Sequence, residues 1–148
     1  SGLWRAMVLK ITFSLLGIAA LVIGGMIFAI GPDATGQIFA AMLRVALPGT
    51  PHLAGLAGAD VDSEMRFYAV LWMAYGGVAL WVVRALPKRM DLLRLMLGVF
   101  WFGGLGRVIS YFAAGAPHPL FLLLMWIEIA LPLVLIALSY KSAKAPSE

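Results

Sequence analysis

The sequence predicts an all-α protein: an integral membrane four-helix bundle with an interfacial helix in its long first loop. Three observations predict it. Of 148 residues, 63% are hydrophobic and only 12% charged, where a soluble domain carries roughly 25% charged residues. The apolar residues collect into four runs near the roughly 20 residues that a helix needs to cross a hydrocarbon core. Basic residues gather at the ends of these runs, where they orient a protein in a membrane. The net charge of +4 is therefore read as orientation, not as a nucleic-acid surface. Cysteine is absent, which excludes disulfides, thiolate metal sites and cysteine nucleophiles.

The chain is expected to form a single transmembrane domain over residues 1–148. Its first span, 11–30, is closed by Gly31-Pro32. It is too long for the apolar part of a signal peptide, so it is read as a retained span; Ser1-Gly2 is read as a cleavage remnant. The second span, 65–83, is stopped by Arg84 and Pro87. The third, 92–113, ends before Gly115 and Pro117, and the fourth covers 120–138. Unpaired backbone is not tolerated against lipid, so each span should be a helix.

Arg5, Lys10, Arg84, Lys88, Arg89, Arg94, Lys141 and Lys144 fall on one side of this plan, against Arg44 and Arg66 on the other. This eight-to-two split predicts that both termini are cytoplasmic. The loop 31–62 is then extracytoplasmic. It is long for a connection with no structure of its own. Asp33 after Pro32 can cap a helix running to about Leu47, with Gln37 and Arg44 on one face and Ile38, Phe39, Met42, Leu43 and Val45 over most of the rest. Such a helix would lie over the outer ends of the bundle. Pro48-Gly49 ends it, and Thr50 to Asp60 is read as loop.

Glu128 stands in the middle of the fourth apolar run, and Arg107 inside the third. A charge at that depth costs about 2.5 to 3.5 kcal/mol on insertion scales. At a rise of 1.5 Å per residue, Arg107 lies about 9 Å and Glu128 about 12 Å from the outer ends of their spans. In an antiparallel hairpin the two would meet in the outer leaflet. Ser110 sits at i+3 to Arg107, with Tyr111 beside it. Glu64, Arg66 and Tyr68 lie at the outer end of the second span, and Trp126 in the outer half of the fourth. Pro132 removes the helical partner of the Glu128 carbonyl. That leaves either a hydrated or ligand-lined pocket, or a carbonyl satisfied by a neighbouring helix. A structural ion pair that fixes helix register is the competing account of Arg107 and Glu128.

The remaining polar residues have plainer readings. Asp62 is read as a helix cap, with Glu64 in the first turn complementing the dipole. A hard cation would need six or more oxygens, so no metal site is expected at Asp60, Asp62 and Glu64. His52 and His118 are read as surface loop residues. The glycines in the spans are read as close-packing positions. Trp4, Trp81 and Trp101 suit an aromatic belt near the cytoplasmic face. The Tyr75 hydroxyl, near mid-span, needs a partner.

The run Ser63-Glu64-Met65-Arg66-Phe67-Tyr68, then Gly103-Gly104-Leu105-Gly106-Arg107-Val108-Ile109-Ser110, then Trp126-Ile127-Glu128-Ile129-Ala130-Leu131-Pro132 forms a recognisable pattern. It resembles a bacterial family of four-helix integral membrane proteins classed as domain of unknown function 4345. The resemblance implies that fold and the bacterial inner membrane, and it supplies no activity. The plan is also similar to other four-helix membrane families with buried acidic residues that bind sterol-like ligands, an analogy of fold alone.

Four functions compete. The first is a binding protein whose Arg107, Glu128, Glu64, Arg66, Tyr68, Ser110, Tyr111 and Trp126 line an outward-facing pocket for a membrane lipid, a quinone or another amphipathic small molecule. The second is a structural or accessory subunit, in a homo-oligomer or a larger membrane complex. The third is a small proton-coupled transporter in which Glu128 titrates. The fourth, an enzyme, lacks a nucleophile, a metal set or a cofactor motif. Neither a cofactor nor a nucleic-acid partner is expected.

Overall fold

The computed structural model describes residues 2–143, and every regular element among them is helical. The elements are α1 (Gly2–Ile30), α2 (Pro32–Ala46), α3 (Ala59–Val83), α4 (Met90–Ala114) and α5 (Pro119–Ala143). Four of them, all but α2, are long and apolar enough to cross a membrane. Only 11–28% of the residues in their most apolar windows are buried within the protein. The rest of that apolar surface needs an apolar environment, so the fold is a helical membrane bundle.

The helices extend past the apolar runs. α1 begins at Gly2 and α3 at Ala59, and α5 continues beyond Leu138. Hydropathy marks where a helix enters hydrocarbon, but backbone pairing continues into the polar interface. The expected caps differ too. Gly58, not Asp62, occupies the N-cap of α3, and Asp62 lies within its first turn. Gly31, not Asp33, precedes α2. One residue joins α1 to α2, and a φ of +89° at Gly31 makes that turn.

Two antiparallel pairs make the bundle. α1 packs most closely on α3, and α4 on α5; α1 also packs on α5, and α3 touches α4 more lightly. The order around the bundle is therefore α3–α1–α5–α4. Glycine closes the α1–α3 seam. A Cβ added at Gly17 would stand 3.0 Å from the Gly76 carbonyl, and one at Gly24 would stand 2.8 Å from Met73 Cγ. In lipid the drive between helices is close packing, and such approaches supply it. Gly77, Gly103 and Gly106, by contrast, have open space where a Cβ would be, so these three do not close a seam.

Large buried side chains collect toward one end. Leu9, Phe13, Val82, Leu93, Met96, Leu97 and Leu135 pack there with Ala79. This end carries Arg5, Lys10, Arg84, Lys88, Arg89, Arg94 and Lys141, with Asp91 as its acid among the described residues. Lys144 lies outside the described residues. The other end carries Asp33, Asp60, Asp62 and Glu64. In that half of the spans the buried positions are small: Ala20, Gly24, Ala69 and Gly104.

α2 lies across the acidic ends of α1, α3 and α5. Residues 47–58 fold back on it: Gln37 Nε2 donates to the Leu53 carbonyl, Arg44 Nε donates to the Thr50 carbonyl at 3.1 Å, and buried Leu53 sits against Gly36. His118 ties this loop to the α4–α5 turn. Its Nε2 donates to the Pro51 carbonyl at 2.8 Å, while its Nδ1 accepts from the Leu120 N–H at 3.0 Å. That pattern needs the proton on Nε2.

Candidate functional site

The site is built on the α4–α5 hairpin. Gly115, with φ +95°, ends α4 and lets the chain reverse before Pro119 opens α5. Gly104 then brings the backbones together beside Glu128: a Cβ there would stand 3.0 Å from the Glu128 carbonyl carbon. One turn further along α4, Arg107 reaches across to the same residue. Its Nε donates to Glu128 Oε2 and its Nη2 to Oε1, the second at 3.2 Å. Two parallel donors on one carboxylate make a geometry that lysine cannot reproduce.

The two partners differ in exposure. The Glu128 side chain is 12% exposed and that of Arg107 37%. The carboxylate is thus enclosed, while the guanidinium keeps an open edge. Among the described residues Nη1 has no hydrogen-bond acceptor. The Phe121 ring lies 5.8 Å from the guanidinium carbon. Near the pair, buried Pro132 frees the Glu128 carbonyl from its helical bond. Trp101 is three residues before Gly104, and its indole Nε1 is buried without a hydrogen-bond partner in the structure. Trp101 is therefore not a belt residue. It lies about 17 Å into α4 at 1.5 Å per residue, far from the basic interface.

A family model described as domain of unknown function (DUF4345) matches residues 8–139. The chain belongs to this family. No curated protein and no solved structure matches it. The DUF4345 match takes in all four spans, α2 and both members of the ion pair. It carries no activity, so the chemistry of the site rests on the residues themselves.

The other residues named from the sequence of this DUF4345 protein are distributed differently. Arg66 is engaged elsewhere. Its Nε donates to Asp62 Oδ1 at 2.7 Å, and its Nη1 to the Phe28 carbonyl at 2.9 Å and the Ala29 carbonyl at 3.4 Å. It therefore caps the C-terminal end of α1. Glu64 and Ser110 are exposed. So are Tyr68, Tyr111 and Trp126, at 52%, 39% and 66%. Tyr68 and Tyr111 meet Phe67 and Phe112 edge-on. The structure thus brings together Arg107 and Glu128 and leaves the other six on outward faces or in separate contacts.

Tyr75 has the partner that its depth demands, donating to the Met96 carbonyl at 2.6 Å. Its ring stacks on Trp72, which stacks in turn on Phe100. One polar cluster has no counterpart in the sequence reading. Arg94 Nε donates to the buried Ser139 Oγ at 2.9 Å, and its guanidinium carbon lies 3.8 Å from the centre of the Tyr140 ring. Serine at the far end of an apolar helix carries little sequence signal. Only the antiparallel pairing of α4 and α5 reveals its role.

Proposed function

We propose that this DUF4345 protein is a bacterial inner-membrane protein, with both termini cytoplasmic, that binds the polar head of a lipid-like or other amphipathic molecule at Arg107 and Glu128. The observation that carries this reading is the unequal exposure of the pair. Glu128 orients the guanidinium, and the open edge of Arg107 faces outward within an apolar span. A partly desolvated guanidinium is a strong donor to an anionic or polar head group. The Glu128 carbonyl freed by Pro132 supplies a further acceptor on the same residue. The small buried residues of this half leave the bundle without a core of large side chains there. The strong basic bias of the opposite end supports the cytoplasmic placement of both termini.

Mass spectrometry of the protein purified in mild detergent tests this. A discrete co-purifying molecule is expected with the native chain. It should be depleted in Arg107→Lys, which keeps the charge but not the fork. Only bulk lipid, equal in both, would overturn the reading.

A specific observation favours a second reading, an accessory subunit. Gly103 and Gly106 lie on the exposed side of α4 with open space above them. Small residues at such positions let another transmembrane helix approach. A stable assembly larger than the monomer, abolished by Gly106→Leu, would favour that account.

A further inference from the structure

A cleft lies at the opposite end of the bundle from the ion pair. It has a volume of about 320 Å³ and is framed by the N-terminal part of α1, the α3–α4 turn and the start of α4. Leu9, Leu86, Pro87 and Met90 form apolar walls, and Lys10 and Arg94 supply its two charges. α1 and α4 make no close backbone approach to one another, so the gap between them is left to side chains.

The two cations are held differently. Arg94 is pre-positioned: Ser139 takes its Nε at 2.9 Å and, through the backbone carbonyl, its Nη2 at 3.3 Å, while the Tyr140 ring covers one face. Its own acid, Asp91, stands at 3.7 Å and is fully exposed, so it neutralises Arg94 weakly. Lys10 has no hydrogen bond or ion pair among the described residues. Arg89, nearby in sequence, is already occupied by the carbonyl and ring of Trp81. The cleft therefore holds an excess of positive charge against apolar walls, in a half of the molecule where Asp91 is the acid described.

We infer that this cleft is a second binding site, for the phosphate-bearing head of an anionic membrane lipid. Lys10 and Arg94 would hold the phosphate, and the apolar walls the start of an acyl chain. Free phosphate would use the cations but leave Leu86, Pro87 and Met90 uncovered. A lipid covers both. Basic clefts between transmembrane helices at the charged face commonly take such head groups. The proposal is independent of the Arg107–Glu128 site, which lies on the other half of the bundle.

Native mass spectrometry in mild detergent, with added phosphatidylglycerol or phosphatidylcholine, tests it. The native chain should retain phosphatidylglycerol in preference to phosphatidylcholine. Lys10→Gln should weaken retention about fivefold, the effect expected of one cation near a lipid surface. Ala6→Phe, which fills the cleft without touching a charge, should also weaken it. Lys88→Gln, an exposed cation of the same turn outside the cleft, should leave it unchanged. Equal losses in Lys10→Gln and Lys88→Gln would mean general surface charge and would overturn the proposal. So would indifference between the two lipids, or full displacement of phosphatidylglycerol by inorganic phosphate.

Discussion

Gly104 lies directly against Glu128 across the α4–α5 seam: a Cβ on Gly104 would stand 2.9 Å from Glu128 Cβ and 3.0 Å from its carbonyl carbon. The one residue that lets α5 come this close thus sits opposite the one carboxylate buried in α5. The approach and the ion pair one turn away are parts of one arrangement. Separating the helices would lengthen both hydrogen bonds from Arg107.

Gly104→Val should therefore destabilise the protein by more than 2 kcal/mol, within the upper range for overpacking at about 1 to 3 kcal/mol. Gly103→Ala, one residue away with nothing within 4 Å, should be neutral or stabilising by about 0.5 to 1 kcal/mol from helix propensity. Unfolding in detergent measures both. Equal effects would contradict the seam.

Breaking the ion pair should be costly on one side and cheaper when done on both. Glu128→Leu alone, which strands Arg107, should cost about 3 kcal/mol, the low end for a buried pair because the guanidinium is partly open. Adding Arg107→Leu should recover much of that. A double-mutant cycle in the same unfolding assay gives the coupling. Strict additivity would mean that the two side chains do not depend on each other.

Arg66 links α3 to the end of α1 by donating to the Phe28 and Ala29 carbonyls. Arg66→Gln should cost about 1 to 2 kcal/mol from lost charge-assisted bonds and dipole compensation. Amide exchange should accelerate at the α1–α2 junction first. Unchanged exchange around Gly31 would remove the capping role.

Tyr75→Phe deletes one hydrogen bond and keeps the stack on Trp72. The Met96 carbonyl keeps its intrahelical donor, so the loss should be about 1 kcal/mol. Tyr75→Ala should cost about 3 to 5 kcal/mol, as for other large aromatic truncations. Comparable losses in the two variants would place the value of Tyr75 in its hydroxyl.

The spans, the amphipathic α2 and the pairing of Arg107 with Glu128 were legible because each rests on a local quantity: run length, helical period, or depth counted along a span. The rotational setting of the helices was not. With apolar residues on every side of a span, nothing local says which side faces protein. Tyr68, Tyr111 and Trp126 share a level with polar neighbours in sequence, yet they point outward. Arg66 was legible as a cation at a span end. Its capture by α1 depends on a residue pair 38 positions apart. Trp101 was misjudged for a related reason: tryptophan correlates with interfaces, but its position along α4 puts it deep. The Arg94–Ser139 contact spans 45 positions and had no local trace.

The order in which the chain is made gives the ion pair a further meaning. Arg107 is synthesised 21 residues before Glu128. When α4 is complete, its guanidinium lacks this counter-charge, and a lone arginine within an apolar span resists entry into lipid, by up to roughly 2.5 to 3.5 kcal/mol at the span centre. α5 brings the missing carboxylate and also the most apolar span of the four. The short turn at Gly115 lets the two helices face each other as soon as both exist. The charge of α4 is thus balanced only once α5 is present, so the hairpin is the smallest unit in which Arg107 has its counter-ion.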